Sequence, residues 1–169
     1  MYQRADAKTA ALAVGVTVLI IVFLRAVGFP LFEGVGIAEG CSVADRLLHP
    51  LVHGGWLHAL VNVYVLWQLV FFFPVSLRLV LTAYVLACCC PVTVAVWTLF
   101  PSSPCCVVGL SGVDYVLMGW VMPGVPRRLR FNAVVAIWML TGMAVGSVAV
   151  GMHLFCYLCG VIVGWRRRL

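Results

Sequence analysis

Residues 131–165, FNAVVAIWMLTGMAVGSVAVGMHLFCYLCGVIVGW, make an almost unbroken apolar run of about 35 residues, closed by Arg166-Arg167-Arg168. A helix needs roughly 20 apolar residues to cross the hydrocarbon core of a bilayer. The run is therefore too long for one crossing and tight for two, and the charges at its ends decide between them. Arg127, Arg128 and Arg130 precede it, and another arginine cluster follows it. Basic residues collect on the cytoplasmic side of membrane helices. With both clusters on that side, the run must be a hairpin, turning near Gly146 to Gly151.

Working outward from this hairpin, the rest of the chain divides in the same way. Thr9 to Val27 is apolar and follows Arg4 and Lys8, which puts the N-terminus on the basic side as well. A basic start before an apolar run is also the pattern of a signal peptide. The length of the run and Arg25 without a clear small-residue cleavage site favour an uncleaved first span. Residues 28–55 are more polar, with Glu33, Glu39, Asp45 and Arg46, and form the longest loop. Leu57–Phe73 and Leu79–Leu99 are separated by Pro74 and Arg78, and Pro101-Ser-Ser-Pro104 marks a loop before Val107–Met122. The expected architecture is an all-α, polytopic six-span bundle in a single membrane domain over residues 1–169. Its spans fall at about 9–27, 57–73, 79–99, 107–122, 131–147 and 151–165, and both termini are cytoplasmic.

Composition agrees with this architecture and excludes others. Hydrophobic residues are 64% of the chain and charged residues 9%, against roughly 25% charged in soluble domains, so a water-facing surface cannot be assembled. The net charge of +6 comes from residues scattered at the ends of apolar runs, not from one basic face with interleaved aromatics, which argues against nucleic acid as a partner. Of the eight cysteines, Cys88, Cys89, Cys90, Cys156 and Cys159 lie in apolar stretches as small hydrophobes. Cys41, Cys105 and Cys106 fall in loops where a disulfide is conceivable. Trp56, Trp67, Trp97, Trp120, Trp138 and Trp165 mostly flank spans and read as interfacial anchors.

In this topology the second, fourth and sixth spans all run from the outside inward. His58, Ser111 and His153 stand at their respective starts, so the three share one depth just below the outer surface. Ionisable residues inside spans are costly and face the protein interior. A serine hydroxyl becomes a nucleophile when an adjacent imidazole takes its proton. The tetrahedral intermediate then needs hydrogen-bond donors around its oxyanion. His58 and Asn62 are four residues apart, on one helix face, and are suited to supply them. Gly109 and Gly112 bracket Ser111 and allow close backbone approach. Taken singly, each has an ordinary reading: Ser111 as a packing residue, a lone intramembrane histidine as a structural hydrogen-bonder, Asn62 as interhelical glue. Convergence on three spans at one depth outweighs those readings. His49 and His53 are spaced for metal ligation, but no third and fourth ligand stands at a familiar spacing. The preferred reading is that they hydrogen-bond the loop backbone above the site, with no metal and no cofactor.

The segment His49-Pro-Leu-Val-His53-Gly-Gly-Trp-Leu-His58-Ala-Leu-Val-Asn62, the motif Gly109-Leu-Ser111-Gly112 followed by Tyr115, and His153 with Gly160 and Gly164 together resemble the rhomboid family of intramembrane serine proteases. The resemblance covers about Pro30 to Trp165. It implies a hydrolase with a Ser111–His153 dyad lacking a third acidic member, and an oxyanion hole from His58, Asn62 and the Ser111 N–H. Tyr115 would pack against His153. Substrates would be single-span membrane proteins, admitted by movement of the fifth span and of the loop before His153. The chain departs from the family pattern in its first loop, where Asp45 and Arg46 stand without the usual Trp. Cys156 replaces a common Gly, and Asp114 is unusual. Asp114 is read as a structural hydrogen-bonder to a neighbouring helix, Tyr64 or Gln68, in preference to a third catalytic group. The rival functions are a catalytically silent rhomboid-fold protein that binds transmembrane segments, and a small transporter using the histidine cluster. Brevity and the lack of extra domains point to a bacterial plasma membrane, with lipid the only other expected partner. Oligomeric state is not legible.

Overall fold

Apolar runs that cannot leave backbone polar groups unpaired in lipid form helices, and the chain follows that rule. The computed structural model describes residues 2–29, 31–97, 106–144 and 149–166, and it is all-helical, with no strand among the described residues. The helices are α1 (Tyr2–Ala26), α2 (Val43–Leu48), α3 (Trp56–Phe72), α4 (Leu77–Cys88), α5 (Val92–Ala95), α6 (Ser111–Val121), α7 (Arg128–Ala144) and α8 (Val150–Arg166). Residues 131–165 are thus divided between two helices. The turn expected from Gly146, the loop at Pro101 to Pro104, Cys105, and Arg167 and Arg168 lie outside the described residues. Among the described residues, only Ala5–Ala26 of α1 is long and apolar enough to cross a membrane as one straight helix. Val43–Leu51 and Trp56–Phe72, bent by 84° at their junction, would count as a second if taken together.

Two of the expected runs are helical over only part of their length, each for a local reason. The run expected over 79–99 breaks at Cys88, because Pro91 at the head of α5 lacks an N–H and cannot continue a helix. The run expected over 107–122 becomes helical only at Ser111. Before it, Val107 and Ile37 exchange both backbone hydrogen bonds at 2.9 Å. Gly109 then takes φ +116°, a conformation L side chains rarely adopt.

The centre of the fold is α6. Gly112 to Leu117, Gly119 and Val121 are all buried, the pattern of a helix surrounded by others. It packs most extensively against α8, and the two backbones meet through glycine. A Cβ added at Gly119 would fall 2.1 Å from the Tyr157 carbonyl oxygen, one at Gly160 2.0 Å from that of Val116, and one at Gly164 2.6 Å from that of Trp120. Cys156 is fully buried and lies 3.4 Å from the Cβ position of Gly112, so it fills this contact without opening it. On the other side, α1 packs on α3, where Trp67 donates to the Ala11 carbonyl at 2.9 Å. Trp67 is therefore a packing residue and not an interfacial anchor. Trp56, Trp97 and Trp165 are exposed at helix ends.

The loop between α1 and α3 is held by its own chemistry. Ser42 and Asp45 form a capping box at the head of α2, which holds the Asp45 carboxyl below its usual range through hydrogen bonds from Ser42. Arg46 reaches from α2 to the end of α4 and donates to the Cys88 and Cys90 carbonyls at 3.2 and 2.9 Å. This anchors the loop to the end of α4. Cys41 is a free thiol.

Candidate active site

The N-terminus of α6 is where the loop, α3 and α8 meet. Gly109 donates its N–H to the His49 carbonyl at 2.9 Å, and the Leu110 N–H donates to His53 Nε2 at 3.2 Å. These two bonds fix the entry into α6. Ser111 is then the first helical residue, with no side chain capping the helix. The earliest N–H groups of a helix have no intrahelical acceptor, and they carry the positive end of the macrodipole. An anion forming beside Ser111 meets both.

His153, in the first turn of α8, places Nε2 at 2.8 Å from Ser111 Oγ. The His153 ring stacks on Tyr115 with centroids 4.3 Å apart and an interplanar angle of 27°. Tyr115 lies one helical turn past Ser111, so a single face of α6 presents both the nucleophile and the platform for its base. His153 Nδ1 has no hydrogen-bond partner among the described residues, and neither has Asp114 Oδ1. Asp114 therefore does not bond the imidazole as a third catalytic member would. Nor does it bond Tyr64 or Gln68; Tyr64 is exposed on the outer face of α3.

His58 and Asn62 of α3 converge on the same place. A Cβ added at Gly109 would lie 2.8 and 2.9 Å from His58 Cε1 and Nε2, and 3.2 Å from Asn62 Nδ2. Asn62 Nδ2 donates to His53 Nε2 at 3.1 Å. Because His53 Nε2 also receives the Leu110 N–H, it acts as the acceptor in both bonds, and this orients the amide. One of the two Asn62 amide hydrogens is thereby committed, and the other remains for a ligand. His53, buried beside the His58 ring, is held neutral: burial first, then the neighbouring His58, lowers its pKa to about 3. His49 Nδ1 donates to the Arg46 carbonyl at 2.7 Å, and burial lowers its pKa to about 4. Both histidines thus bond within the loop and to α6, as loop-anchoring groups do.

A cavity of about 130 Å³ opens beside the dyad, lined by His58, Asn62, Ser111, Tyr115 and His153. Its remaining walls are Val61, Val65, Asp114, Met118 and Trp138. All the proposed catalytic and oxyanion residues therefore meet at one cavity, with Gly109 behind them and Gly112 packed against Met152 and Ala87. Sequence reasoning overlooked two participants. Trp138 of α7 lines the cavity, and its place in the α7 run gives no sign of which face it occupies. His53 bonds Asn62 as well as the residues leading into α6, and the nine residues between them hide that bond in the sequence.

Compared with known proteins, the chain matches no protein-family model and no curated sequence.

Proposed function

We propose that the chain is a rhomboid-like intramembrane serine endopeptidase with a Ser111–His153 dyad. The observation that carries this reading is the 2.8 Å contact between Ser111 Oγ and His153 Nε2, made across two helices inside a cavity that His58 and Asn62 also line. Ser111 attacks a peptide carbonyl and His153 takes its proton. The oxyanion receives the Ser111 N–H, the free Asn62 amide hydrogen and the His58 ring, each such donor contributing roughly 100- to 1,000-fold in rate. His153 then protonates the departing amine, and water hydrolyses the acyl-enzyme by the same groups in reverse.

A six-span, multi-pass arrangement is part of the proposal. Exposed large apolar side chains line the outer faces of α1 (Val16, Ile20), α3 (Leu57, Leu60), α4 (Leu81, Val85), α7 (Val134, Leu140) and α8 (Leu158, Ile162), a surface suited to lipid and not to water. The basic residues support its orientation. Lys8 Nζ lies 4.9 Å from the centre of the Phe71 ring at the end of α3, and the Arg128 guanidinium lies 5.7 Å from that of Trp165 at the end of α8. His58 and His153 are at the opposite ends of those same helices. Twelve residues separate His153 from Trp165, about 18 Å of helix. The dyad thus opens toward the non-basic, outer side, where single-span substrates would present their cleavage sites.

Purified protein in detergent, given a single-span reporter, tests the reading. Wild type should cleave it, Ser111→Ala and His153→Ala should each lose at least roughly 1,000-fold, and EDTA should change nothing. Equal cleavage by all three proteins would refute the dyad. Loss of cleavage on chelation, with Ser111→Ala unaffected, would favour a metal-dependent role for the histidines.

A further inference from the structure

The dyad leaves one buried ionisable group at its cavity unused. Asp114 is 2% exposed, lines the cavity beside Ser111 and His153, and has Oδ1 without a hydrogen-bond partner among the described residues. A buried polar atom with no partner costs free energy comparable to a lost hydrogen bond, so the site holds an acceptor waiting for a donor. The surroundings restrict which donor. Asp114 shares its face of α6 with Ser111, Tyr115 and Met118, at helical spacing. It lies three residues beyond Ser111, about 4.5 Å along the axis. Val61, Val65, Met118 and Trp138 give the cavity apolar walls. Against such walls a neutral donor costs much less to bury than an ammonium or guanidinium. A volume of about 130 Å³ admits a small side chain.

Resting on the protease reading, we propose that Asp114 is a specificity residue: it accepts a hydrogen bond from a short hydroxyl side chain, serine or threonine, on the substrate residue that contributes the scissile carbonyl. That residue has its carbonyl at Ser111 and its side chain directed into the cavity, where Asp114 Oδ1 is a buried acceptor without a partner among the described residues. The enzyme then selects not merely small residues at the cut but small residues that donate.

The test is a set of single-span reporters identical except at this residue, which is Ala, Ser, Thr, Leu or Lys, with kcat/KM measured in detergent. Wild type should prefer Ser and Thr over Ala by roughly 10- to 100-fold, the range set by satisfying a buried acceptor. Asp114→Leu should abolish or invert that preference while Ala and Leu reporters remain substrates, and Asp114→Asn, which keeps an acceptor, should retain part of it. Labelling of Ser111 by a fluorophosphonate verifies that each variant is folded. If Asp114→Leu does not label, Asp114→Ala takes its place. Equal cleavage of Ser and Ala reporters by wild type overturns the proposal, as does a preference for Lys, or an unchanged Ser preference in the labelled variant. In each of these cases cleavage still depends on Ser111. Cleavage that survives Ser111→Ala, or none with any reporter, overturns the protease reading itself.

Discussion

Gly109→Ala isolates the geometry on which the proposed oxyanion site depends, since it adds one methyl group and removes no hydrogen-bonding atom. The added Cβ would sit 2.8 Å from His58 Cε1, about 0.7 Å inside the roughly 3.5 Å at which carbon atoms rest. Either the His58 ring or the Gly109 backbone must yield by that amount. A misplacement near 1 Å can cost about 100-fold in rate, so kcat/KM should fall by roughly 30- to 100-fold. A φ of +116° adds backbone strain of about 1–3 kcal/mol, read as a drop in thermal midpoint of several degrees. The assay is reporter cleavage by Gly109→Ala, His58→Ala and the double variant, with thermal unfolding followed in parallel. If the methyl acts through His58, the double variant should lose little more activity than His58→Ala alone. Full multiplication of the two losses would refute the argument, and so would Gly109→Ala at wild-type rate.

Three further outcomes follow from the same geometry. Tyr115→Phe keeps the ring against His153 and should hold kcat within about threefold, whereas Tyr115→Ala frees the imidazole and should lower kcat by roughly 10- to 100-fold; equal effects of the two would place the role in the hydroxyl. Gly160→Ala forces a methyl to 2.0 Å from the Val116 carbonyl oxygen, so the thermal midpoint should fall by more than it does for Gly109→Ala, as overpacking against backbone predicts. His49 is buried neutral with its pKa lowered to about 4. Above pH 6.5 its contribution to stability is fully present; as pH falls toward 4 the unfolded chain takes up the proton first, and about 3 kcal/mol is lost. Unfolding midpoints of wild type and His49→Gln between pH 7 and 4 measure this, and parallel pH profiles for the two proteins would contradict it.

The helices and the closeness of Ser111 to His153 are legible in the sequence because both rest on long-period signals. Apolar runs and arginine clusters divide residues 131–165 into two helices and bring His153 level with Ser111. Local backbone geometry was less legible. That the helix would begin only at Ser111 depends on the pairing of Val107 with Ile37 some seventy positions earlier, which no window along the chain contains. The same holds for His53, whose imidazole joins Asn62 to the Leu110 N–H. Tryptophan misled for a related reason. Its hydropathy is the same at a lipid headgroup, against Ala11 as Trp67 is, or beside the cavity at Ser111 as Trp138 is. For Asp114 the sequence predicts a hydrogen bond, because buried carboxyls normally have one; that Oδ1 has no partner among the described residues is visible only in three dimensions.

The contact of α6 with α8 has a consequence for how such a protein tolerates its surroundings. Where two helices meet through long side chains, a change of rotamers can let them drift apart. Where Gly119, Gly160 and Gly164 bring backbone onto backbone, no such slack exists, and the distance between Ser111 and His153 is set by the peptide chain itself. On the multi-pass arrangement proposed above, swapping bilayer for detergent, or a thick bilayer for a thin one, would act on the outer faces of α1, α3 and α7 and leave that separation alone. Changes of lipid should therefore register in how readily substrate arrives and how long the fold survives, while the rate of the bond-breaking step stays nearly constant.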